Sequence, residues 1–252
     1  MSDVNNYIEF EMGNIPLIIS ISHGGTLDCD SIPHRSTGIF GIDKGTIELS
    51  KELCEYIRIK FKNESLGFNT PSYIISKIRR NKIDLNRNKD EAYNQDSFFA
   101  REIYEFYHNK IKNWIFENLN AYNRSLIIDI HGFEKKARPR GFRDVDVIIG
   151  TDNLKSLFST SIPKRDWGKN LRGNIIRKFL HSNIPIAPGH PRRREYVLSG
   201  GYITTQYGAS NILKSQAIQI EFSDKIRIYN TELKQRVLTI LTDVIFEEIA
   251  KK

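Results

Sequence analysis

His23, His131 and Glu221 are the residues in this chain best placed to hold or work with a metal. Each ends an apolar run: Ile15–Ser22 leads into His23, Leu126–Ile130 into His131, and Ala217–Ile220 into Glu221. Such runs read as buried strands. In open α/β sheets, ligands sit beyond the carboxyl ends of the strands. Three such strands would deliver two imidazoles and a carboxylate to one edge of one sheet. Imidazole is the commonest side-chain metal ligand. A Glu beside a metal can take a proton from attacking water and pass it to a leaving nitrogen; a third ligand is its other possible role. The chemistry expected is metal-assisted hydrolysis.

Neighbouring residues extend each of these positions. Side chains in a strand alternate with period two, so Asp129 shares a face with His131 and Gln219 with Glu221. An Asp in an aliphatic strand is costly to bury without a partner, and a ligating His usually gives its second N–H to a carboxylate. Asp129 is therefore a candidate to orient His131. Gly24-Gly25 after His23 permits close approach of backbone or substrate.

The string Arg79-Arg80-Asn81-Lys82-Ile83-Asp84-Leu85-Asn86-Arg87 offers guanidinium forks and an amide for a carboxylate. If it is extended, Asp84 and Asn86 share a face, leaving Asp84 free to orient a metal-bound His. Gly200-Gly201-Tyr202 allows a tight loop whose Tyr could bond substrate. His34, His108, His181 and His190 read as structural or surface residues. Cys29, six residues after His23, is a remote ligand candidate. With Cys54 it makes only two cysteines, expected as free thiols.

These residues need strands and helices to position them. Strands are expected at Asn14–Ser22, Ser72–Ile78, Leu126–His131, Val145–Gly150 and Ala217–Phe222. A helix is expected from Asp43, its N-cap, with Leu49, Leu53, Tyr56 and Ile57 at helical spacing. A second is capped by Ser97 or Asp96 and carries Phe99, Ile103, Phe106 and Trp114. A third spans Arg165–His181 from Asp166, and a last one follows Asn230 with Leu233, Val237, Leu241 and Val244. Strands alternating with helices predict an α/β sheet covered on both faces.

The 252 residues, 39% of them hydrophobic, suit one domain with a sizeable core. No apolar stretch is long enough to span a bilayer, and the first residues carry no secretory pattern, so a cytoplasmic protein is expected. The net charge of +8 could attract nucleic acid or anionic small molecules. Lys77–Lys82 and Arg192–Arg194 are its densest groups.

Taken together, the strings resemble the N-formylglutamate amidohydrolase family and, more distantly, the zinc carboxypeptidases. The resemblance rests on Ser22-His23-Gly24-Gly25, Asp43 with Thr46 and Leu49, Arg80 with Asp84-Leu85-Asn86-Arg87, Asp129-Ile130-His131-Gly132-Phe133, Gly200-Gly201-Tyr202 and Gln219-Ile220-Glu221. It implies one catalytic domain over residues 1–252, with a mixed β-sheet flanked by helices, zinc-carboxypeptidase-like (phosphorylase/hydrolase-like). It further implies a zinc-dependent hydrolase of C–N bonds that cleaves a small N-acyl amino acid such as N-formylglutamate. His23 and His131 resemble the Zn²⁺ ligands and Asp84 the carboxylate that orients His23. Asn86 and Arg87 resemble the substrate-carboxylate clamp, Arg80 the oxyanion stabiliser and Glu221 the general base and acid. Zinc carboxypeptidases take a further ligand from a Glu three residues after the first His. Thr26 stands there in this chain, so Asp43 is the expected third ligand, with Asp28 and Asp30 as competitors. The rival expectations are a metallocarboxypeptidase-like or cell-wall peptide amidase using the same centre, and a non-catalytic nucleic-acid-binding protein.

Overall fold

Side-chain alternation sorts the strands onto two faces. Leu17, Ile19, Ile21, Leu126, Ile128, Ile130, Ile218 and Ile220 belong to one buried cluster, while Ile18, Ile74, Ile127 and Ala217 belong to another. The computed structural model describes residues 4–64, 66–137, 144–196 and 198–250. Its strands are β1 (Ile8–Glu11), β2 (Leu17–Ile21), β3 (Ser72–Ser76), β4 (Ser125–Phe133), β5 (Val147–Gly150), β6 (Ile186–Ala187) and β7 (Ser215–Ser223). They form a seven-stranded sheet in the order β1-β3-β2-β4-β7-β5-β6. Pairings β3/β2, β2/β4, β4/β7 and β5/β6 are parallel; β1/β3 and β5/β7 are antiparallel. The sheet is therefore mixed, as expected.

The helices are α1 (Val4–Tyr7), α2 (Thr46–Asn63), α3 (Lys89–Ala92), α4 (Phe98–Tyr122), α5 (Leu171–His181), α6 (Tyr202–Tyr207) and α7 (Thr231–Ile249). The larger core joins one sheet face to α2, α5 and α7 through residues such as Leu53, Ile175 and Leu241. The smaller core joins the other face to α1, α4 and α6 through Val4, Ile103, Tyr107 and Ile203. Fully burying one such aliphatic side chain stabilises the fold by roughly 1.5–3 kcal/mol. None of the described helices is long and apolar enough to cross a membrane.

Two expected helix starts are displaced. Asp43 does not cap α2: the N-cap is Gly45, at φ 76°. The Asp43 carboxylate turns inward to a buried imidazole and a backbone N–H, which stabilise the charge more than an exposed helix end does. Asp166 only ends a 3₁₀ turn, Lys164–Asp166. The helix proper begins at Leu171, capped by Asn170 accepting from Gly173 N–H. Of the two candidates Ser97 caps α4, accepting from Ala100 N–H, and Asn230 caps α7, accepting from Leu233 N–H. β1 and β6, at the two sheet edges, are additional to the expected strands. The strand expected at Ser72–Ile78 stops at Ser76, beyond which Ile78 keeps only a lone bridge to Leu27.

Candidate metal centre

β2, β4 and β7 lie side by side and parallel, so their carboxyl ends share one edge. His23 follows β2 across Ser22. His131 and Glu221 are directly paired in the β4/β7 register, one step beyond the pair Asp129 and Gln219 on the same face. Ser20 pairs with Asp129 in the β2/β4 register. A polar row, Ser20–Asp129–Gln219, thus crosses the sheet beneath the two catalytic candidates. Tyr107 on α4 closes the row: its hydroxyl lies 3.0 Å from Ser20 Oγ, which donates to Asp129 Oδ1 at 2.8 Å.

His23, Asp43 and His131 converge, and all three are buried. His23 Nδ1 is 3.1 Å from His131 Nδ1. Asp43 Oδ2 is 3.2 Å from His131 Nδ1 and 3.7 Å from His23 Nδ1. Behind each imidazole stands a second carboxylate. His23 Nε2 lies 2.6 Å from Asp84 Oδ1, and His131 Nε2 lies 2.8 Å from Asp129 Oδ2. A carboxylate can only accept, so each Nε2 carries a proton and each Nδ1 presents a lone pair. Three electron-pair donors therefore point at one another, an arrangement that repels itself unless a cation lies among them. Their separations match the edge of about 3.4 Å for a tetrahedron with zinc–ligand bonds of ~2.1 Å. The donor set, two imidazoles and one carboxylate each held from behind, fits a zinc-type ion.

The electrostatics agree with that fit. Burial alone would raise the pKa of Asp43, but hydrogen bonds to His131 and His23 outweigh it and hold the carboxyl well below its usual range. Asp84 behaves likewise: burial raises its pKa, and His23 and Arg80 reverse the effect. Burial lowers the pKa of His131, yet Asp129 and Asp43 push it well above the usual imidazole value. Burial raises the pKa of Glu221, opposed by His131 and reinforced by Asp43. The Glu221 carboxylate accepts from Gln219 Nε2 at 2.8 Å, and Gln219 Oε1 accepts from Gly201 N–H at 2.6 Å.

Residues 79–87 form no strand; turns at 80–82 and 85–86 replace the extended course under which Asp84 and Asn86 would share a face. The turns nonetheless bring Asp84, Asn86 and Arg80 to the centre. Arg80 Nε donates to Asp84 Oδ2 at 3.0 Å, and its Nη1 lies 3.9 Å from Asp43 Oδ1. Asn86 N–H donates to Asp84 Oδ1. Asn86 Oδ1 accepts from Ile203 N–H at 2.8 Å and Nδ2 donates to Gln219 Oε1 at 3.5 Å; Nδ2 also lies 3.0 Å from His131 Nε2, a contact without a hydrogen bond because both nitrogens carry protons. Arg87 keeps a half-exposed guanidinium, with Nε 3.8 Å from Asp84 Oδ2.

Tyr202 follows the double glycine as expected but lies in a helix rather than a loop. It is the first residue of α6, and its ring packs edge-on against His108 at 5.5 Å between centroids. The double glycine turns the chain so that the Tyr joins the aromatic side of the core. Asp28 and Asp30 are exposed and outside the His cluster; Asp28 pairs with Lys82. Cys29 is buried against Ser31. The sequence reading missed Arg35, a buried guanidinium whose Nη1 lies 3.6 Å from Asp84 Oδ2 and donates to Arg80 O. Nothing in its exposed-looking loop signals that role. The basic group at Lys77–Lys82 is partly consumed inside the protein: Arg80 is paired with Asp84, and the buried Lys82 donates to Ile32 O.

No protein-family model matches this chain, and neither does any curated protein. Solved structures share its fold. The crystal structure of N-formylglutamate amidohydrolase from Ralstonia eutropha aligns with a TM-score of 0.65 at 15% identity, over 96% of this chain and 98% of that one. A gene product of Agrobacterium tumefaciens aligns with a TM-score of 0.60 at 14% identity, over 96% of this chain and 93% of that one. At these identities the similarity is one of fold, and the fold is the mixed α/β sheet that the sequence motifs imply.

Proposed function

We propose that this protein is a zinc-dependent amidohydrolase of small N-acyl amino acids such as N-formylglutamate, acting as one cytoplasmic domain over residues 1–252. One observation carries the reading: two imidazoles and a carboxylate converge beside Glu221, with a further carboxylate behind each imidazole. The shared fold with a solved N-formylglutamate amidohydrolase supports it.

His23, His131 and Asp43 would hold the ion. Zinc in such a site supplies Lewis acidity, polarising an acyl oxygen and making water easier to deprotonate. Glu221 takes the proton from the attacking water. Burial raises its pKa, which makes it a stronger base than an exposed carboxylate. Water oxygen bonds to the acyl carbon, the C–N bond breaks, and Glu221 delivers its proton to the departing nitrogen. The products are a carboxylic acid and a free amino acid. Arg80, fixed by Asp84, supplies a preorganised positive charge for the developing oxyanion. Arg87 has its guanidinium partly free to hold the substrate carboxylate, while Asn86 braces the turn from which Arg87 projects.

The test is to load the chain with zinc and follow release of formate and free amino acid from N-formylglutamate. Other N-acyl amino acids and peptides with free C-termini run in parallel. Turnover of formyl amino acids, lost together with zinc in His131→Ala, is the expected result. Turnover unchanged in His131→Ala would reject the site. Cleavage of peptides alone would redirect the reading to a carboxypeptidase or cell-wall peptide amidase.

A further inference from the structure

Arg227 has a side chain with no solvent exposure, yet it lies outside every motif in the chain. It sits in a single π-helical turn, Lys225–Tyr229, between β7 and α7. π-Helical turns are rare and frequently found at functional sites. Here the turn sends a guanidinium inward beneath the metal candidates.

Its donors reach three segments of the centre. Nε donates to Phe222 O at 2.9 Å, one residue after Glu221. Nη2 donates to Phe133 O at 3.1 Å, two residues after His131, and also reaches Glu134 Oε1 at 3.3 Å. Nη1 donates to Lys44 O, one residue after Asp43. A guanidinium offers five donors in a rigid fork and stays charged when buried, which an ammonium or amide cannot reproduce.

The contact with Asp43 matters most, because Asp43 lies in a loop rather than a strand. Its carboxylate reaches His131 only across the strand edge, where Gly132 N–H donates to Asp43 Oδ2 at 3.0 Å. Gly132 is itself shaped to Arg227. A Cβ added there would lie 2.4 Å from the guanidinium carbon. One guanidinium therefore packs on the residue that hydrogen-bonds Asp43 and also grips the carbonyl of Lys44, the residue that follows Asp43. We propose that Arg227 is the positioning residue that fixes Asp43 as third metal ligand, an inference that rests on the metal-site reading above.

The test uses the full chain with Co²⁺ as probe, its affinity measured by chelator competition and its ligand set by the visible spectrum. Arg227→Met is expected to weaken cobalt binding by about 10–100-fold, the range for residues that orient metal ligands. Its spectrum should approach that of Asp43→Ala. Combining the two changes should cost little more than Asp43→Ala alone, because Arg227 acts through Asp43. A purely structural role predicts losses that add, and that outcome overturns the proposal, as does wild-type affinity and spectrum in Arg227→Met. If Arg227→Met fails to fold, Arg227→Lys and Arg227→Gln carry the same cycle, and wild-type cobalt binding in both overturns the proposal. A wild-type chain that binds neither cobalt nor zinc overturns the metal reading itself, and this inference with it.

Discussion

Asp84 Oδ1 and His23 Nε2 are 2.6 Å apart, both wholly enclosed, although 61 residues of chain separate them. The bond fixes which imidazole nitrogen carries the proton and therefore which one is left to bind a cation. Asp84 also takes Arg80 and Arg35 on its other oxygen, so one carboxylate orders a ligand and two cations.

Asp84→Asn tests that arrangement. The amide keeps an acceptor for His23 but removes the charge facing Arg35 and Arg80. Removing one partner from a buried ionic cluster typically costs about 3–5 kcal/mol. Metal affinity should fall ~10–100-fold with the loss of the orienting carboxylate. Chemical denaturation of the metal-free protein and a metal titration measure the two effects separately. Wild-type values in both would contradict the role assigned to Asp84.

Glu221→Gln is expected to keep the metal and lose turnover. Loss of a general base commonly lowers the rate by ~10²–10⁴. Because burial raises the Glu221 pKa, the wild-type acid limb of kcat/KM should lie above that of an ordinary carboxylate and rise with pH. The same shift favours the protonated form in the fold. Between the ordinary and raised values, stability of the metal-free protein should fall as pH rises, and Glu221→Gln should relieve that loss. Rate profiles and denaturation curves across pH check both statements.

Metal-free protein should lose stability toward both pH extremes. The depressed pKa values of Asp43 and Asp84 mean that their stabilising contribution is complete above the unfolded Asp value of about 3.9. It disappears as pH falls through their folded values. The raised pKa of His131 works in the opposite sense: its contribution is complete below the unfolded His value of about 6.5 and is lost as pH rises through the folded value. A cation competes with the His131 proton, so apparent metal affinity should increase over that upper range. Melting curves with and without chelator, taken across pH, test the crossing of these trends. Melting that does not vary with pH in the chelated protein would count against it.

Arg87→Ala should raise KM for a substrate that carries a free carboxylate. Arg87→Lys should restore little, because an ammonium lacks the bidentate fork. A substrate amide in place of the carboxylate should show no such difference between wild type and variant. Steady-state kinetics on the acid and amide pair measures this directly.

The sequence alone determined which apolar runs become strands and which residues share their faces. Alternation is a property of the local backbone, so the pairs Asp129/His131 and Gln219/Glu221 and a sheet covered on both faces were legible from the pattern. The caps at Ser97 and Asn230 were legible for the same local reason. The tertiary structure alone decided how loops close on that edge. Asp43 reads locally as a helix cap, yet across 88 residues its carboxylate finds a buried imidazole and a backbone N–H, which hold the charge more firmly than the exposed end of α2 could. Tyr202 reads as a loop residue, yet it opens a short helix, its ring packing on His108 while its N–H bonds Asn86 O. Arg35 and Arg227 carry no local signal, because each acts through contacts with residues distant in the chain. What joins them to the centre is the convergence of buried acceptors in space, which no spacing along the chain encodes.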